Sequence, residues 1–223
     1  RSPVVLLLAG MLALVLVGAT ILVVLKPFSH AAPPSPVPGI ITEFPLPTPG
    51  SRPTFLAAGP DGNLWFTEFE MHKIGRITPR GVITEFPVPS NAHVDTTFSD
   101  ITAGPDGNLW FTLDGPQIGR ITPSGAITMF PLPAGEPFPC FGLTRGPDGN
   151  LWCAANNYLV QISPSGVATT FPLPDNISAS LEIITGPDGN LWFTENYPAP
   201  TIVRFTLRGA ITQYPLPHAL GIL

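Results

Sequence analysis

The chain has 223 residues, among them 30 Pro, 22 Gly and 2 Cys, with 11% charged residues and a formal net charge of -5. Average proteins carry ~25% charged residues and ~5% Pro. So few basic residues argue against a nucleic-acid binder, and the 44% hydrophobic fraction argues against disorder. Two cysteines exclude a multi-disulfide scaffold and a zinc site of four thiolates.

An uncharged apolar run occupies residues 4–25. As a helix it would be ~33 Å long, enough to cross the hydrocarbon core of a bilayer, so it predicts one transmembrane helix. A cleaved secretory signal is the alternative, because the small residues Ala31 and Ala32 follow. Signal peptides have apolar regions of about 7–15 residues, so the longer run favours an uncleaved anchor. Residues 1–30 are therefore predicted to be an anchor or a signal segment.

A Pro-rich stretch, AAPPSPVPG at residues 31–39, follows the apolar run. Such a composition favours extended polyproline geometry and predicts a tether. We expect the remainder, residues 40–223, to lie outside the cytoplasm. The protein would be single-pass in the cell membrane, or secreted if the first segment is cleaved.

Three motifs recur in fixed order after the tether. GPDGNLW starts at Gly59, Gly104, Gly146 and Gly186, with spacings of 45, 42 and 40 residues. KIGRITPRG at residues 73–81 has three later counterparts, and ITEFPLP at residues 41–47 has four. A repeat of this period is typical of stacked or radial repeat folds.

Each repeat predicts four short strands, which we call A to D. In the first repeat these are residues 54–59, 63–68, 73–78 and 82–87, separated by Pro, Asp and Gly turns. A four-stranded antiparallel unit of about 42 residues is the size of a propeller blade. We therefore predict an all-β protein, a β-propeller with four blades in this chain.

The D motif occurs five times, although the other motifs occur only four times. The surplus copy is the first, at Ile40 to Pro45. In a closed propeller it would complete the last blade, so we expect this chain to be part of a larger ring. A ring of four blades would leave the first strand as an exposed edge, which proteins avoid.

The A–B and C–D turns hardly vary, whereas the loops on the opposite rim do. The Asp residues of the GPDG turns are therefore predicted to be structural and not calcium ligands. The variable loops carry the candidate acids and histidines, Glu68, Glu70, His72, His93, Asp95, Asp100, Asp114, Glu182 and Glu195. As ligand-binding residues of this rim we select His72, Asp100, Asp114, Asn157 and Tyr197.

Glu68 and Glu195 are distinguished by occupying one repeat position, directly after the WFT of strand B. They are the candidate metal ligands, because carboxylate oxygens suit hard cations. The two cysteines are expected to be free thiols, because a regular hairpin register separates Cys140 from Cys153 too far for a disulfide.

Together, GPDGNLWFTE, KIGRITPRG and ITEFPLP resemble the streptogramin B lyases, also called virginiamycin B lyases, over residues 40–223. The resemblance implies a seven-bladed propeller of roughly 294 residues, whereas about 184 residues follow the tether. It further implies magnesium-dependent elimination at the ester bond of a cyclic depsipeptide antibiotic. A base removes the proton next to a carbonyl while the metal stabilises the enolate.

In that family the base is a strand-A His five residues before the Gly of GPDG, and a strand-B Glu assists the metal. The base position here holds Thr54, Ser99, Phe141 and Leu181, none of which can act as that base. The Glu position holds Glu68, Leu113, Ala155 and Glu195. The catalytic residues therefore stay unassigned, and no elimination is expected from the chain as given.

The first hypothesis is thus a membrane-anchored lyase-like propeller, with Mg²⁺ implied only by the resemblance and C–O lyase activity in the full-length protein. The rival is a non-catalytic propeller that binds a small molecule or a cell-surface partner. A third idea is a metal-dependent propeller hydrolase such as a lactonase. We expect a monomer that binds the membrane through residues 4–25 and no nucleic acid.

Overall fold

The computed structural model describes residues 41–89, 98–113, 115–133, 140–179, 182–195 and 199–217, together with Gly39 and the backbone of 14–17 and 20–23. The side chains of residues 98 and 99 are outside this description. The chain divides into two compact units, Arg1–Glu43 and Phe44–Leu223.

The described part of the first unit is a small hairpin. Strands β1 (Leu14–Val17) and β2 (Thr20–Val23) pair antiparallel. They lie within the run predicted to be a membrane helix, whose other residues are outside the described ranges. Within the described residues, no helix has the length and apolar character needed to span a bilayer. The membrane anchor therefore stays a prediction.

The second unit contains four antiparallel sheets of four strands each, which we call blades 1 to 4. In every blade the strands pair in chain order, as the repeat predicts. The strands of blades 1 and 2 are β3 (Pro53–Ala58), β4 (Leu64–Glu68), β5 (Lys73–Ile77), β6 (Ile83–Pro87), β7 (Phe98–Ala103), β8 (Leu109–Leu113), β9 (Gln117–Ile121) and β10 (Ile127–Pro131). Those of blades 3 and 4 are β11 (Phe141–Arg145), β12 (Leu151–Ala155), β13 (Tyr158–Ile162), β14 (Ala168–Pro172), β15 (Ile183–Thr185), β16 (Leu191–Glu195), β17 (Thr201–Phe205) and β18 (Ile211–Pro215). The all-β blade architecture is thereby confirmed.

In the described residues 41–46 the surplus D motif pairs with no strand, so its place in a further blade stays a prediction. Each of the four described sheets already has its own D strand. Phe44 nevertheless lies against Gly81 in the way that Phe86 of blade 1 lies against Gly125 of blade 2. Phe44 thus makes on blade 1 the same aromatic contact that joins consecutive blades.

The GPDG turns are held by their aspartates. In blade 1 the Asp61 carboxylate accepts hydrogen bonds from Trp65 Nε1 at 3.0 Å and from the Asn63 amide at 3.2 Å. Gly62 adopts a φ of 75°, a conformation that glycine tolerates best. Burial raises the pKa of Asp61, but these hydrogen bonds outweigh burial and leave the pKa below its ordinary value. This arrangement agrees with the predicted structural role of the GPDG aspartates.

The hydrophobic core lies between consecutive blades. Trp65 of blade 1 is fully buried in a cluster with Leu109 and Phe111 of blade 2. Burial of an aromatic side chain of this size removes roughly 150–250 Å² from water. The equivalent Trp110 and Trp152 are buried against blades 3 and 4. The recurrent Trp is therefore the residue that joins each blade to the next.

Polar bonds reinforce the first two of these junctions. Arg76 of blade 1 donates to the Pro123 carbonyl of blade 2 at 2.8 Å, and Arg120 of blade 2 donates to the Pro164 carbonyl of blade 3 at 3.1 Å. Blade 3 has Gln161 at this repeat position, and its amide donates to Asp148 of its own blade at 2.7 Å. The junction of blades 3 and 4 therefore lacks this bond.

The cysteines form a disulfide, so the expectation of free thiols was wrong. Cys140 and Cys153 are bonded, with their Cα atoms 5.8 Å apart. The assumed register placed Cys153 opposite Thr144, whereas the structure places it opposite Leu143. A register shift at Gly142, whose φ is 55°, then brings the start of β11 closer to Cys153. A β-bulge, which a regular register does not anticipate, is the physical reason for the error.

Candidate functional site: the variable rim and its two buried glutamates

Glu68 ends strand β4 and is completely buried. Neither oxygen of its carboxyl group has a hydrogen-bond partner, and the nearby buried Ser51 hydroxyl has none either. Most buried polar groups in proteins are paired, so an unpaired carboxyl is exceptional. The Glu at the end of strand B is therefore sealed into the protein instead of facing the rim.

A short stretch before β3 closes this site. The Phe69 amide donates to the Arg52 carbonyl at 3.0 Å, and the Glu70 amide donates to the Ser51 carbonyl at 3.2 Å. An exposed ion pair of 2.7 Å joins Arg52 to Glu70. The Arg52 guanidinium also lies over the Phe69 ring at 5.2 Å. Residues 51 and 52 thus bind the loop that follows Glu68 and shut its carboxyl off from solvent.

The surroundings favour the neutral form of Glu68. Burial raises the pKa of its carboxyl above the ordinary value, and the Glu85 carboxylate raises it further. The neighbouring Ser51 and the Lys73 ammonium oppose the rise without cancelling it. Lys73 is engaged elsewhere, because its Nζ donates to Glu85 at 2.7 Å and to Thr48 Oγ1 at 2.6 Å. Lys73 therefore gives Glu68 little compensation.

Glu195 occupies the same repeat position in blade 4 and is buried as well. Its carboxylate accepts the Ser178 amide at 3.2 Å and the Gln213 side-chain amide at 3.4 Å. Both glutamates are buried. Two groups donate hydrogen bonds to the Glu195 carboxylate, whereas the Glu68 carboxyl has the Ser51 hydroxyl nearby. The equal sequence positions thus lead to different chemical environments.

The described residues do not assemble a magnesium site around these glutamates. Glu68 and Glu195 belong to separate blades. Across the described ranges there is no group of three or more His, Cys, Asp or Glu side chains that could hold a metal ion. Mg²⁺ needs near-octahedral oxygen coordination, which neither glutamate offers with its present neighbours. The fit of the implied metal to these residues is therefore poor, and no chemical step is assigned to it.

Among the predicted rim residues, His72 and Asn157 lie in loops between strands B and C. His72 is half-buried with a φ of 47°, and its carbonyl accepts the Val88 amide at 3.0 Å. Asn157 is exposed, and its carbonyl accepts the Leu173 amide at 2.7 Å. Both lie in these loops with backbone contacts that hold the loop shape, and their role in ligand binding stays a prediction.

Asp100 is a structural link between blades. It lies in β7, and its carboxylate accepts the amide of Leu143 in blade 3 at 2.6 Å and that of Ile101 at 2.7 Å. Burial raises the pKa of Asp100, as does the Glu182 carboxylate, and the two amide bonds only partly offset the rise. Sequence reasoning missed this link, because nothing in the repeat indicates a contact across blades.

Other predicted residues cannot be placed. Asp114 and Tyr197 of the ligand rim lie outside the described residues, as do His93 and Asp95. At the base position, Thr54 shares a hydrogen bond of 2.8 Å with Thr67, and Phe141 begins β11. The side chains of Ser99 and Leu181 are outside the described part. The described members of this position therefore offer no general base.

Sequence comparison matches residues 35–221 to the model of the Virginiamycin B lyase family. A virginiamycin B lyase from Bordetella parapertussis is 40% identical over 59 residues, which are 26% of this chain and 20% of that protein. The chain thus covers about a fifth of the length of this curated relative.

Solved structures show the same likeness over a longer stretch. Selenomethionine-substituted virginiamycin B lyase from Staphylococcus aureus is 39% identical with a TM-score of 0.73, covering 82% of this chain and 62% of that one. A catalytically inactive variant of the S. aureus enzyme with Quinupristin is 38% identical with a TM-score of 0.72, covering 82% and 61%. A putative gluconolactonase at 15% identity and a TM-score of 0.57 shares the fold alone.

Proposed function

Since the chain belongs to the virginiamycin B lyase family, we propose that its four blades bind a cyclic peptide of the streptogramin B type on the variable rim without opening it. The observation that carries this proposal is the state of the family's catalytic positions. Thr54 and Phe141 stand where a base is needed, and the buried Glu68 carboxyl cannot reach a ligand on the rim.

The physical argument concerns proton transfer. A general base must lie within hydrogen-bond reach of the proton that it removes. A Thr hydroxyl paired with another Thr, and a phenylalanine ring, provide no such group. The family frame supports binding, because propellers recognise ligands with loops while the blades stay rigid.

The experiment uses quinupristin as the probe and the full chain with Mg²⁺. Calorimetry measures binding, and chromatography measures the linear product. We expect saturable binding and no linear product. Opening of the ring would overturn the non-catalytic part of the proposal, and absence of binding would overturn the ligand class.

A second candidate function is magnesium-dependent C–O lyase activity of the full-length protein. It is supported by the family match over residues 35–221 and by Glu195, which occupies the position of the family's strand-B Glu. This candidate predicts that full-length protein linearises quinupristin only with Mg²⁺ and that Glu195→Gln reduces the rate. A rate unchanged by chelation would count against it.

We also propose that the chain is anchored in the cell membrane through residues 4–25 with the blades outside, acting as a monomer. The acidic balance of residues 38–223, with 8 basic and 15 acidic residues, suits a metal-binding or neutral-ligand rim and argues against a polyanion partner. Alkaline extraction of membranes separates an anchored chain from a secreted one. A chain found only in the soluble fraction would refute anchoring.

A further inference from the structure

Blade 3 departs from the repeat at one core position. The third residue of strand B is Phe66, Phe111 and Phe193 in the other blades, but Cys153 in blade 3. In blade 2, Phe111 pairs across the sheet with Gly119, where a Cβ would overlap its ring. Blade 3 has Val160 opposite Cys153 instead of glycine. One aromatic ring is thus absent from the core of this blade.

The disulfide occupies the corresponding place in the core. Cys140 and Cys153 are both fully buried, in one cluster with Leu143 and Val160 of blade 3 and Trp110 of blade 2. Their Cα separation of 5.8 Å is in the usual range for a disulfide. Both cysteines of the chain are consumed by this bond. The sulfur atoms therefore take part in packing between blades 2 and 3.

The bond also fixes the start of the strand that joins these blades. Cys140 directly precedes β11, and three residues later the Leu143 amide donates to Asp100 of blade 2 at 2.6 Å. Between them lies Gly142, where the register of β11 shifts. A glycine at a bulge adds backbone freedom that must be lost on folding. The disulfide restrains the segment on which the Asp100 contact depends.

We infer that the Cys140–Cys153 disulfide forms only after export and locks the junction of blades 2 and 3, so that the chain reaches its stable fold outside the reducing cytoplasm. Structural disulfides persist in oxidising compartments and are rare in the cytosol. The upstream apolar run at residues 4–25 is an independent feature that suits export. This inference does not depend on the proposed ligand.

The chemistry is a two-electron oxidation by thiol–disulfide exchange. The thiolate of one cysteine attacks a disulfide of an exported oxidase or of a small-molecule oxidant and displaces one of its sulfurs. The second cysteine then attacks the mixed disulfide, which releases the oxidant as a dithiol or as two thiols. Cys140 and Cys153 lose two electrons and two protons, and the oxidant gains both.

The test counts thiols in the full chain from two sources: exported from cells with an added export leader, and retained in the cytoplasm of cells whose export pathway is blocked. Denatured, unreduced protein is labelled with a maleimide polymer, and the gel shift reports zero or two free thiols. We expect zero in the exported chain and two in the chain retained in the cytoplasm. Two free thiols in the exported chain would overturn the inference.

A second measurement examines the locking role. Reduction of the exported chain should lower its thermal midpoint by roughly 6–12 °C, as expected for opening a loop of this size. A matched variant, Cys153→Phe with Val160→Gly, gives blade 3 the same Phe–Gly pair that blade 2 has. Its thermal midpoint should not respond to the reductant. The variant Cys140→Ser with Cys153→Ser serves the same purpose if the first does not fold. A reductant-insensitive midpoint in the disulfide-bonded wild type would refute locking.

Discussion

Replacement of Glu68 by Gln should stabilise the protein at neutral pH. The wild-type carboxyl is buried, and both of its oxygens lack hydrogen-bond partners. The substitution keeps the shape of the side chain and removes its ability to ionise. Because a buried charge without partners is costly, Glu68→Gln should gain stability wherever the wild-type carboxyl would be charged.

The size of the effect follows from the cost of an unsatisfied buried group, which is ~1–3 kcal/mol. We expect Glu68→Gln to raise the free energy of unfolding by about 1–2 kcal/mol at neutral pH, since a neutral amide costs less to bury beside the Ser51 hydroxyl than a carboxylate does. In a domain of this size, that corresponds to a rise in the thermal midpoint of roughly 2–8 °C.

The pH dependence has a defined sign. The pKa of Glu68 in the folded protein is raised above the ordinary value of 4.5. The unfolded chain therefore releases this proton first as the pH rises, and wild-type stability falls as the pH passes through the raised pKa. Below the ordinary pKa the carboxyl is neutral in both states, so the advantage of the variant should vanish there.

Urea unfolding of both proteins from acidic to neutral pH measures the difference directly. Glu195→Gln is the matched control, because Glu195 occupies the same repeat position but accepts two hydrogen bonds. We expect the control to lose about 1 kcal/mol at neutral pH, since Gln has one acceptor oxygen in place of the two that accept these hydrogen bonds. Destabilisation by Glu68→Gln at neutral pH, or a pH-independent gain, would refute the reasoning.

Three further outcomes follow from the blade contacts. Arg120→Gln should cost about 1–2 kcal/mol in urea unfolding, because it removes the 3.1 Å bond to the Pro164 carbonyl; an unchanged midpoint would contradict a role at the junction. Gly119→Ala should cost roughly 1–3 kcal/mol, because the new Cβ overlaps the ring of Phe111; a neutral result in the same assay would show that the ring moves freely. Trp192→Phe should remove most of the tryptophan emission that acrylamide quenches, because Trp192 is only half-buried whereas the other three are at most 1% exposed; quenching that persists would contradict the exposure of the blade 4 face.

Much of the fold follows from local patterns that every repeat carries. The Pro, Asp and Gly of GPDG specify a tight turn, and the apolar and aromatic run of LWFTE specifies a strand. The expected alternation of buried and exposed side chains is not observed, because this strand is buried on both faces in blade 2. Because these signals lie within a few residues of one another, the strand bounds of blade 1 were predicted to within one residue. The surplus D motif is unpaired in the described sheets, and the blade to which it belongs stays a prediction.

The candidate site was predicted less well. Glu68 and Glu195 look identical in the sequence, since both follow WFT, yet one is sealed without donors and the other accepts two hydrogen bonds. The difference comes from the segments that cover them, Ser51 in one case and Ser178 in the other. Those segments are separated from the glutamates by 17 residues each, and the variable loops that contain them carry no repeat signal.

By itself, the sequence determined the blades, their order and the family, because turn residues and strand-forming apolar residues act over short range and repeat four times. Only the tertiary structure decided what each repeated position does. The bulge at Gly142 brings Cys140 to Cys153, and Asp100 reaches the Leu143 amide from another blade. Both outcomes depend on where distant backbone segments come to lie, and no local pattern in this chain encodes those distances.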